Sequence, residues 1–350
     1  MDANQPTSLP IAHATEHDPP KVWVIAEIGV NHDGSVEKAM TLIDHAVETG
    51  CNALKFQLFR PDRLLSAEAS LATYQQSAAD SPADLLEPLA LSIESMKKLR
   101  DNARDAGIAF GVTPFSPDDV EDLKALGVDF IKIASPDAVN LPLIDRCLKL
   151  ELPMVISTGA CERHEVEPVA TRLKQHKAGG ALLHCVSSYP TPMKQAALGG
   201  IQALRDAFGV RVGYSDHTAS IETGALAVTA GACLLEKHLT HDPSAPGPDH
   251  SASLSPTQMK AYVAHVRQAQ SVLGPIRKTV QDVEQDVRRV SRQSVCAVRD
   301  LPEGHRLTRE DLTVKRPGLG IRPERLNEVI GRSLRKAIEA NHLLQDDHLV

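Results

Sequence analysis

The chain has 350 residues, of which 42% are hydrophobic and 24% charged, with a formal net charge of −7. That length suits a barrel of about 250 residues plus an appendage, and the charge argues against a general nucleic-acid or membrane-surface binder. The apolar runs are too short to span a bilayer, and residues 1–20, without a basic start or apolar core, read as a loose leader rather than a signal peptide. Six scattered cysteines (Cys51, Cys147, Cys161, Cys185, Cys233, Cys296) form no CxxC pair. They read as buried free thiols in a reducing cytoplasm.

From Val22 on, short apolar runs alternate with amphipathic segments. VWVIAEIGV (22–30) predicts a strand and 36–49 a helix. ALKFQLF (53–59) is a second strand, followed by a polar loop and a helix over 93–106. IAFGVT (108–113) is a third. The Ser116-Pro117-Asp118-Asp119 stretch behind it supplies an N-cap, a first-turn proline and first-turn acids. VDFIKIAS (128–135), PMVIST (153–158), ALLHCVSS (181–188), VRVGYS (210–215) and CLLEKHL (233–239) continue the series. Their helices fall over 141–150, 164–176, 198–208, 219–231 and 256–273. Eight strand–helix units in about 250 residues predict an α/β fold, a (β/α)8 TIM barrel. A doubly wound open sheet is the structural alternative, but eight units in series favour closure. EIGVNHDG also lacks the G-x-G-x-x-G spacing of a dinucleotide site. The barrel is expected over 21–275 and a charged linker over 276–292. Residues 293–350 read as a small module, punctuated by the turn LPEG and the capping sequence LTRED.

Active groups of such barrels gather at the C-terminal strand ends. Here every predicted strand ends in polar residues. In order these are Glu27 and Asn31; Lys55 and Gln57; Thr113; Lys132 and Ser135, with Asp137 beyond; Ser157; Ser187 and Tyr189; Ser215, Asp216 and His217; and Glu236, His238 and Thr240. Together they predict a polar cup. Lys55 and Gln57, two residues apart, share one face of their strand. A solvated, outward Lys55 is the bland alternative, but helices cover the outside of a barrel and ALKFQLF is otherwise apolar. The same argument turns Lys132 inward. Two cations with the hydroxyls of Thr113, Ser135, Ser157 and Ser215 suit a phosphate and a carboxylate. A lone Glu27 in an apolar strand would be costly, so it is either a structural partner of Lys55 or a functional carboxylate. His217 and His238 lie at consecutive strand ends and can meet one ion. Two imidazoles leave coordination positions for water and a substrate oxygen, as a catalytic Lewis acid requires; a hydrogen-bonded structural pair is the alternative. His241 falls in a loop and reads as solvated. His32, His184 and His250 carry no assignment.

Taken together, the segments AEIGVNHDGS, LKFQLF, VTPFS, FIKIAS, VISTG, LLHCVSSYPTP, VGYSDHT, EKHLT, PGPDHSASL and LTVKRPGLGI resemble the sialic acid synthase family, in order and across about residues 22–345. The resemblance implies an N-acetylneuraminate synthase-like enzyme: a TIM barrel followed by an antifreeze-like (SAF) domain, in a domain-swapped homodimer. It implies a C–C bond-forming transferase that condenses phosphoenolpyruvate with an N-acetylated amino sugar. N-acetylmannosamine is the leading acceptor, giving N-acetylneuraminate and phosphate. It makes His217 and His238 ligands of a divalent metal, manganese or magnesium. Lys55, Thr113, Lys132, Ser135, Ser157, Ser187 and Ser215 match positions around phosphoenolpyruvate. Glu27, Gln57, Tyr189 and Asp249 match sugar-side or catalytic positions, and Arg316 matches an arginine that reaches into a partner's barrel to touch the N-acetyl group. Asp137 stands where some members have glutamate, and Ser187 where some have asparagine. The sugar therefore stays open: a 2,4-diacetamido-trideoxyhexose, giving legionaminic- or pseudaminic-type acids, and a spore-coat polysaccharide sugar are alternatives. Asp137 is the preferred group to activate water, with Glu27 as the alternative. Two rivals remain. A synthase acting on a simple aldose phosphate is disfavoured by the VKRPG segment, and a non-catalytic sugar-binding protein is disfavoured by the intact set of Lys55, Lys132, His217, His238 and Asp249.

Overall fold

The computed structural model of the protein describes residues 22–70, 81–274 and 278–350, so the leader expected over 1–20 lies outside the described residues. Eight parallel strands close into a barrel in chain order: β1 Trp23–Gly29, β2 Ala53–Leu58, β3 Ala109–Pro114, β4 Phe130–Ile133, β5 Met154–Ser157, β6 Gly180–Cys185, β7 Arg211–Asp216 and β8 Leu234–His238. β1 pairs with both β2 and β8, so the open sheet is excluded. Each predicted strand is present within a few residues of its expected limits. β6 stops at Cys185 rather than running to Ser188, because the chain turns so that the Val186 carbonyl meets His217 Nδ1 at 2.9 Å. The helix expected over 219–231 is shorter, Thr223–Thr229. Ahead of it, Thr218 and Ser220 spend their backbone N–H groups on side chains, Thr218 on Asp216 and Ser220 on Thr218.

Strand alternation sorts the side chains into layers. Inside the barrel, Trp23, Ile25, Ala53, Ala109, Phe130, Val155, Ala181, Leu183 and Leu234 make an apolar floor. Position 111 must be glycine, since a Cβ there would lie 2.1 Å from the Phe130 ring. One step further along the same inward faces, the floor gives way to Glu27, Lys55, Lys132, Ser157, Ser215, Glu236 and His238, all buried. The outward faces pack against the helices through residues such as Phe56, Phe110, Ile131, Ile156 and Leu235. Each such burial contributes about 1.5–3 kcal/mol. The helices fit this shell because their apolar residues share one side; Val36–Glu48 buries Ala39, Leu42, Ile43 and Ala46, and Ser35 caps it by accepting from the Lys38 N–H.

Residues 278–350 form a second compact unit. Its strands β9 Ser294–Ala297 and β10 Leu312–Lys315 pair antiparallel. Its own core is built from Val295, Leu301, Leu307, Leu312, Leu334 and Leu344. Buried Asp311 accepts from Arg299 at 2.5 Å and, through its other oxygen, pairs with His305 at 2.8 Å, tying the loop 299–308 to the start of β10. Arg316 follows β10 and is exposed within this unit. All six cysteines are free. Among the described residues, no helix is long and apolar enough to cross a membrane.

Candidate functional site

The C-terminal ends of β1–β8 surround a cavity of about 430 Å³. Its charged centre is a chain of buried groups. Lys55 Nζ stands 2.6 Å from Glu27 Oε2 and 3.9 Å from Glu236 Oε2, and Lys132 Nζ stands 3.7 Å from Glu236 Oε1. Lys132 also donates to Ser157 Oγ at 2.6 Å and to the Ile133 carbonyl at 2.9 Å. Ser215 donates to Glu236 at 2.8 Å, and Gln57 Nε2 donates to Glu27 at 3.0 Å. Register explains these meetings: Glu27 pairs with Lys55 across β1–β2, and Ser215 with Glu236 across β7–β8.

The environment splits the carboxylates. Burial opposes the charge on Glu236, but Lys132, Lys55 and the Ser215 hydroxyl outweigh it and hold the group down at about 2. Glu27 is raised, chiefly by burial, with Lys55 working against the rise and Glu236 adding to it. Asp249 is pushed up to about 7 by burial and by repulsion from Glu27, partly offset by Lys55. Lys132 is lowered by burial, against the pull of Glu236. Asp249 Oδ2 and Glu27 Oε1 crowd the same spot. A Cβ at Gly29, which has φ 54°, would lie 2.9 Å from the glutamate oxygen and 3.3 Å from the aspartate oxygen.

The two histidines face each other across β7 and β8, with ring centroids 5.7 Å apart. His217 Nδ1 sits against the Val186 carbonyl at 2.9 Å, so hydrogen bonding assigns its proton to Nδ1 and leaves the Nε2 lone pair facing Tyr189 OH at 3.1 Å and Ser215 Oγ at 3.2 Å. His238 Nδ1 is buried without a hydrogen-bond partner, with Asp249 Oδ2 3.7 Å away. Burial lowers both imidazoles below their ordinary range, which keeps them neutral as ligands must be. No group of three or more His, Cys, Asp and Glu side chains among the described residues could hold a metal. Two imidazoles do not fit a closed structural zinc site; the His217 Nε2 lone pair and the unpartnered His238 Nδ1 would fit only an open site that other ligands complete.

Glu27, Lys55, Gln57, Thr113, Lys132, Ser135, Ser157, Ser187, Tyr189, Ser215, His217, His238 and Asp249 all line this cavity. Asp137 does not: the wall there is Ala134, Ser135 and Pro136, while Asp137 sits in the 3-10 turn Ser135–Val139 and accepts from Asn140 Nδ2 at 3.0 Å. Asp216 also departs from the expected inward cup, since it points outward and pairs with Lys237. Arg316 belongs to the second unit. His241 packs on His250, and His250 joins Asp33 at 2.9 Å and Thr240 at 2.7 Å, anchoring the loop that carries Asp249. Outward-facing His184 stacks on Tyr214, and His32 Nδ1 accepts from the Gly34 N–H. Two features lack a role in the sequence reading. One is Glu236, the hub between both lysines. The other is an apolar wall of Val30, Phe59, Leu64, Leu85, Leu86 and Phe115.

Fold and cup together define a (β/α)8-barrel protein with a charged cup at its C-terminal strand ends and a second, small unit. The chain belongs to the NeuB family: the family model matches residues 42–278, and that of the SAF domain matches 292–350. This agrees with the resemblance to sialic acid synthases. The N,N'-diacetyllegionaminic acid synthase of Legionella pneumophila is 38% identical, covering 93% of this chain and 94% of that protein. The N,N'-diacetyllegionaminic acid synthase of Campylobacter jejuni is 36% identical, covering 93% and 99%. Among solved structures, the N-acetylneuraminic acid synthetase of Leptospira borgpetersenii is similar with a TM-score of 0.68 and 31% identity, over 76% of this chain and 90% of that one.

Proposed function

We propose that the protein condenses phosphoenolpyruvate with an N-acetylated amino sugar, giving a nonulosonic acid and phosphate. The observation that carries this reading is the joining, in one cavity, of two buried lysines ringed by hydroxyls with two neutral imidazoles and a carboxyl near neutrality. Lys55 and Lys132 would hold the carboxylate and phosphate. The hydroxyls of Ser135, Ser157, Ser187 and Ser215, with the buried, unpartnered Thr113 Oγ1, would share the remaining oxygens. Glu27, Gln57, Tyr189 and Asp249 would orient the sugar. C3 of phosphoenolpyruvate bonds to the aldehyde carbon, water adds at C2, and phosphate leaves C2 to give the keto acid. His217 and His238 would hold a divalent cation, Mn2+ or Mg2+, whose chemistry when bound is Lewis-acid polarisation of a carbonyl oxygen. Because Asp137 stands outside the cavity wall, Glu27 takes over the activation of water. In this reading the protein is a cytoplasmic, domain-swapped homodimer, and the exposed Arg316 of one chain serves the acceptor bound to its partner.

The apolar wall favours a second choice of acceptor over N-acetylmannosamine. Free sugar hydroxyls against Phe59, Leu64, Leu85 and Phe115 would lose water without gaining hydrogen bonds. A 2,4-diacetamido-trideoxyhexose puts methyl groups there instead, and two relatives are named for a diacetylated product. The test is phosphate release and product mass spectrometry with phosphoenolpyruvate and a panel of N-acetyl sugars. Faster turnover of the diacetamido sugar supports this acceptor. Preference for N-acetylmannosamine overturns it, and no release with any sugar overturns the synthase reading.

A further inference from the structure

Behind the cup, on the outer faces of β7 and β8, lies an ion pair that the chemistry above does not use. Asp216 and Lys237 are both fully buried, with Lys237 Nζ 3.2 Å from Asp216 Oδ1. They are register partners, and theirs is the last pairing between β7 and β8. Each sits between two residues of the cup: Asp216 between Ser215 and His217, Lys237 between Glu236 and His238. Alternation sends the flanking residues inward and this pair outward.

We infer that the Asp216–Lys237 pair is a positioning device that fixes the mutual geometry of His217 and His238; the inference rests on the proposed reading of those imidazoles as a metal-holding pair. His217 lies just beyond the last β7–β8 pairing: its carbonyl accepts from the Thr191 N–H at 2.8 Å, but the ladder gives it no hold on β8. The ion pair supplies that hold. Asp216 Oδ1 accepts from the Thr218 N–H at 2.9 Å and from the Thr218 hydroxyl at 2.8 Å, and Oδ2 accepts from the Thr223 hydroxyl. Lys237 Nζ donates to the Thr218 carbonyl and lies 5.6 Å over the Tyr262 ring. The residue after His217 is thus gripped at its N–H, its carbonyl and its side chain by groups that belong to both strands. Stability alone does not explain the arrangement, because an apolar pair of similar volume at such a site is often as stable as a buried ion pair or more so. What an apolar pair cannot do is direct three hydrogen bonds onto Thr218.

The double variant Asp216→Asn/Lys237→Met tests this, because removing both charges together avoids leaving one buried and unpaired. Binding of Mn2+ to the metal-free protein is followed by electron paramagnetic resonance, and the imidazole nitrogens are followed by NMR of 15N-histidine-labelled, metal-free protein. His217→Ala and His238→Ala assign the two signals. The expected result is a folded protein whose Mn2+ dissociation constant rises by about 10-fold or more, with the His217 and His238 signals displaced and that of His305, in the second unit, unmoved. A folded double variant with native Mn2+ affinity and native imidazole signals overturns the inference. If the native protein binds no Mn2+, the metal reading falls, and the imidazole signals alone decide the positioning role: displaced supports it, unmoved overturns it. If the double variant does not fold, Thr218→Val, which removes one of the three bonds and leaves both buried charges paired, is read in the same way.

Discussion

Replacing Lys55 with methionine removes the cation that faces two carboxylates at once. Lys55 Nζ lies 2.6 Å from Glu27 Oε2 and 3.9 Å from Glu236 Oε2, and all three side chains are buried. At an effective dielectric constant of about 20, unit charges at the shorter distance attract by roughly 6 kcal/mol. Desolvation offsets much of that attraction, and breaking a buried pair by removing one partner costs about 3–5 kcal/mol. Glu27 is already raised by burial, so it can take up a proton when Lys55 is lost, and the cost falls toward the lower end. Lys55→Met is therefore expected to lose about 3 kcal/mol. Adding Glu27→Gln keeps an acceptor for Gln57 Nε2 and spares the protein the cost of protonating a buried carboxylate, so the double variant should recover about 1 kcal/mol. Urea unfolding followed by fluorescence is a clean assay, because the single tryptophan, Trp23, lies in the barrel floor. Phosphate release should be abolished in both variants, so stability and activity separate. A loss below about 1 kcal/mol for Lys55→Met, or a double variant no more stable than the single, would refute the ion-pair reasoning.

His238→Ala should abolish Mn2+ binding and nearly all phosphate release, while His241→Ala, which loses packing on His250 and a 4.0 Å approach to Asp33, should keep most of both; equal loss would contradict the division. Asp249, raised from 3.8 to about 7, contributes stability that is full below about pH 3.8 and lost as pH rises through about 7. The melting temperature of Asp249→Asn should therefore change less between about pH 5 and pH 8 than that of the native protein, and parallel curves would argue against a raised carboxyl. Gly29→Ala forces a side chain into φ 54° and within 2.9 Å of Glu27 Oε1. It should destabilise by about 1–2 kcal/mol and slow turnover, and a variant of native stability and rate would show the site to be less crowded.

The order of strands and helices was legible because each strand is a short apolar run and each helix an apolar stripe, and closure followed from their number. Lys55 and Lys132 were legible as inward groups because each interrupts a strand that is apolar on both faces. Glu236 was visible only as one more polar residue at a strand end. Its place as the hub depends on β2, β4, β7 and β8 being brought round one axis, which spacing along the chain does not state. Asp137 was expected just beyond β4, but the strand stops at Ile133 and a 3-10 turn follows, whose Ser135 and Pro136 line the cavity while Asp137 bonds Asn140 instead. Asp216 and Lys237 could have been found. If His217 and His238 point inward, the residues just before them must point outward, into helix-covered space where a lone charge is untenable. Two opposite charges at matching positions of neighbouring strands predict a buried pair.

The net charge of −7 belongs to the whole chain and says little about the cup. Facing two lysines there, only Glu236 is held firmly ionised, while Glu27 and Asp249 are both raised. Lys132 is lowered by burial too, so the low-dielectric walls work against charge of both signs and focus the fields of the groups that stay charged. An ammonium has three donor hydrogens. Lys132 directs bonds to Ser157 and the Ile133 carbonyl, and Lys55 lies against Glu27, so neither lysine's donors are exhausted. In the proposed reading, a phosphate-bearing acid would bind without displacing the internal partners. Its negative charge would raise Glu27 and Asp249 further, so binding near neutral pH should draw protons from solution. Titration calorimetry of phosphoenolpyruvate in buffers of different ionisation enthalpy measures that uptake directly. Uptake that disappears in Asp249→Asn/Glu27→Gln would assign it to these two carboxyls, whereas binding with no proton exchange would mean that the acids of the empty cup are already fully ionised or fully neutral.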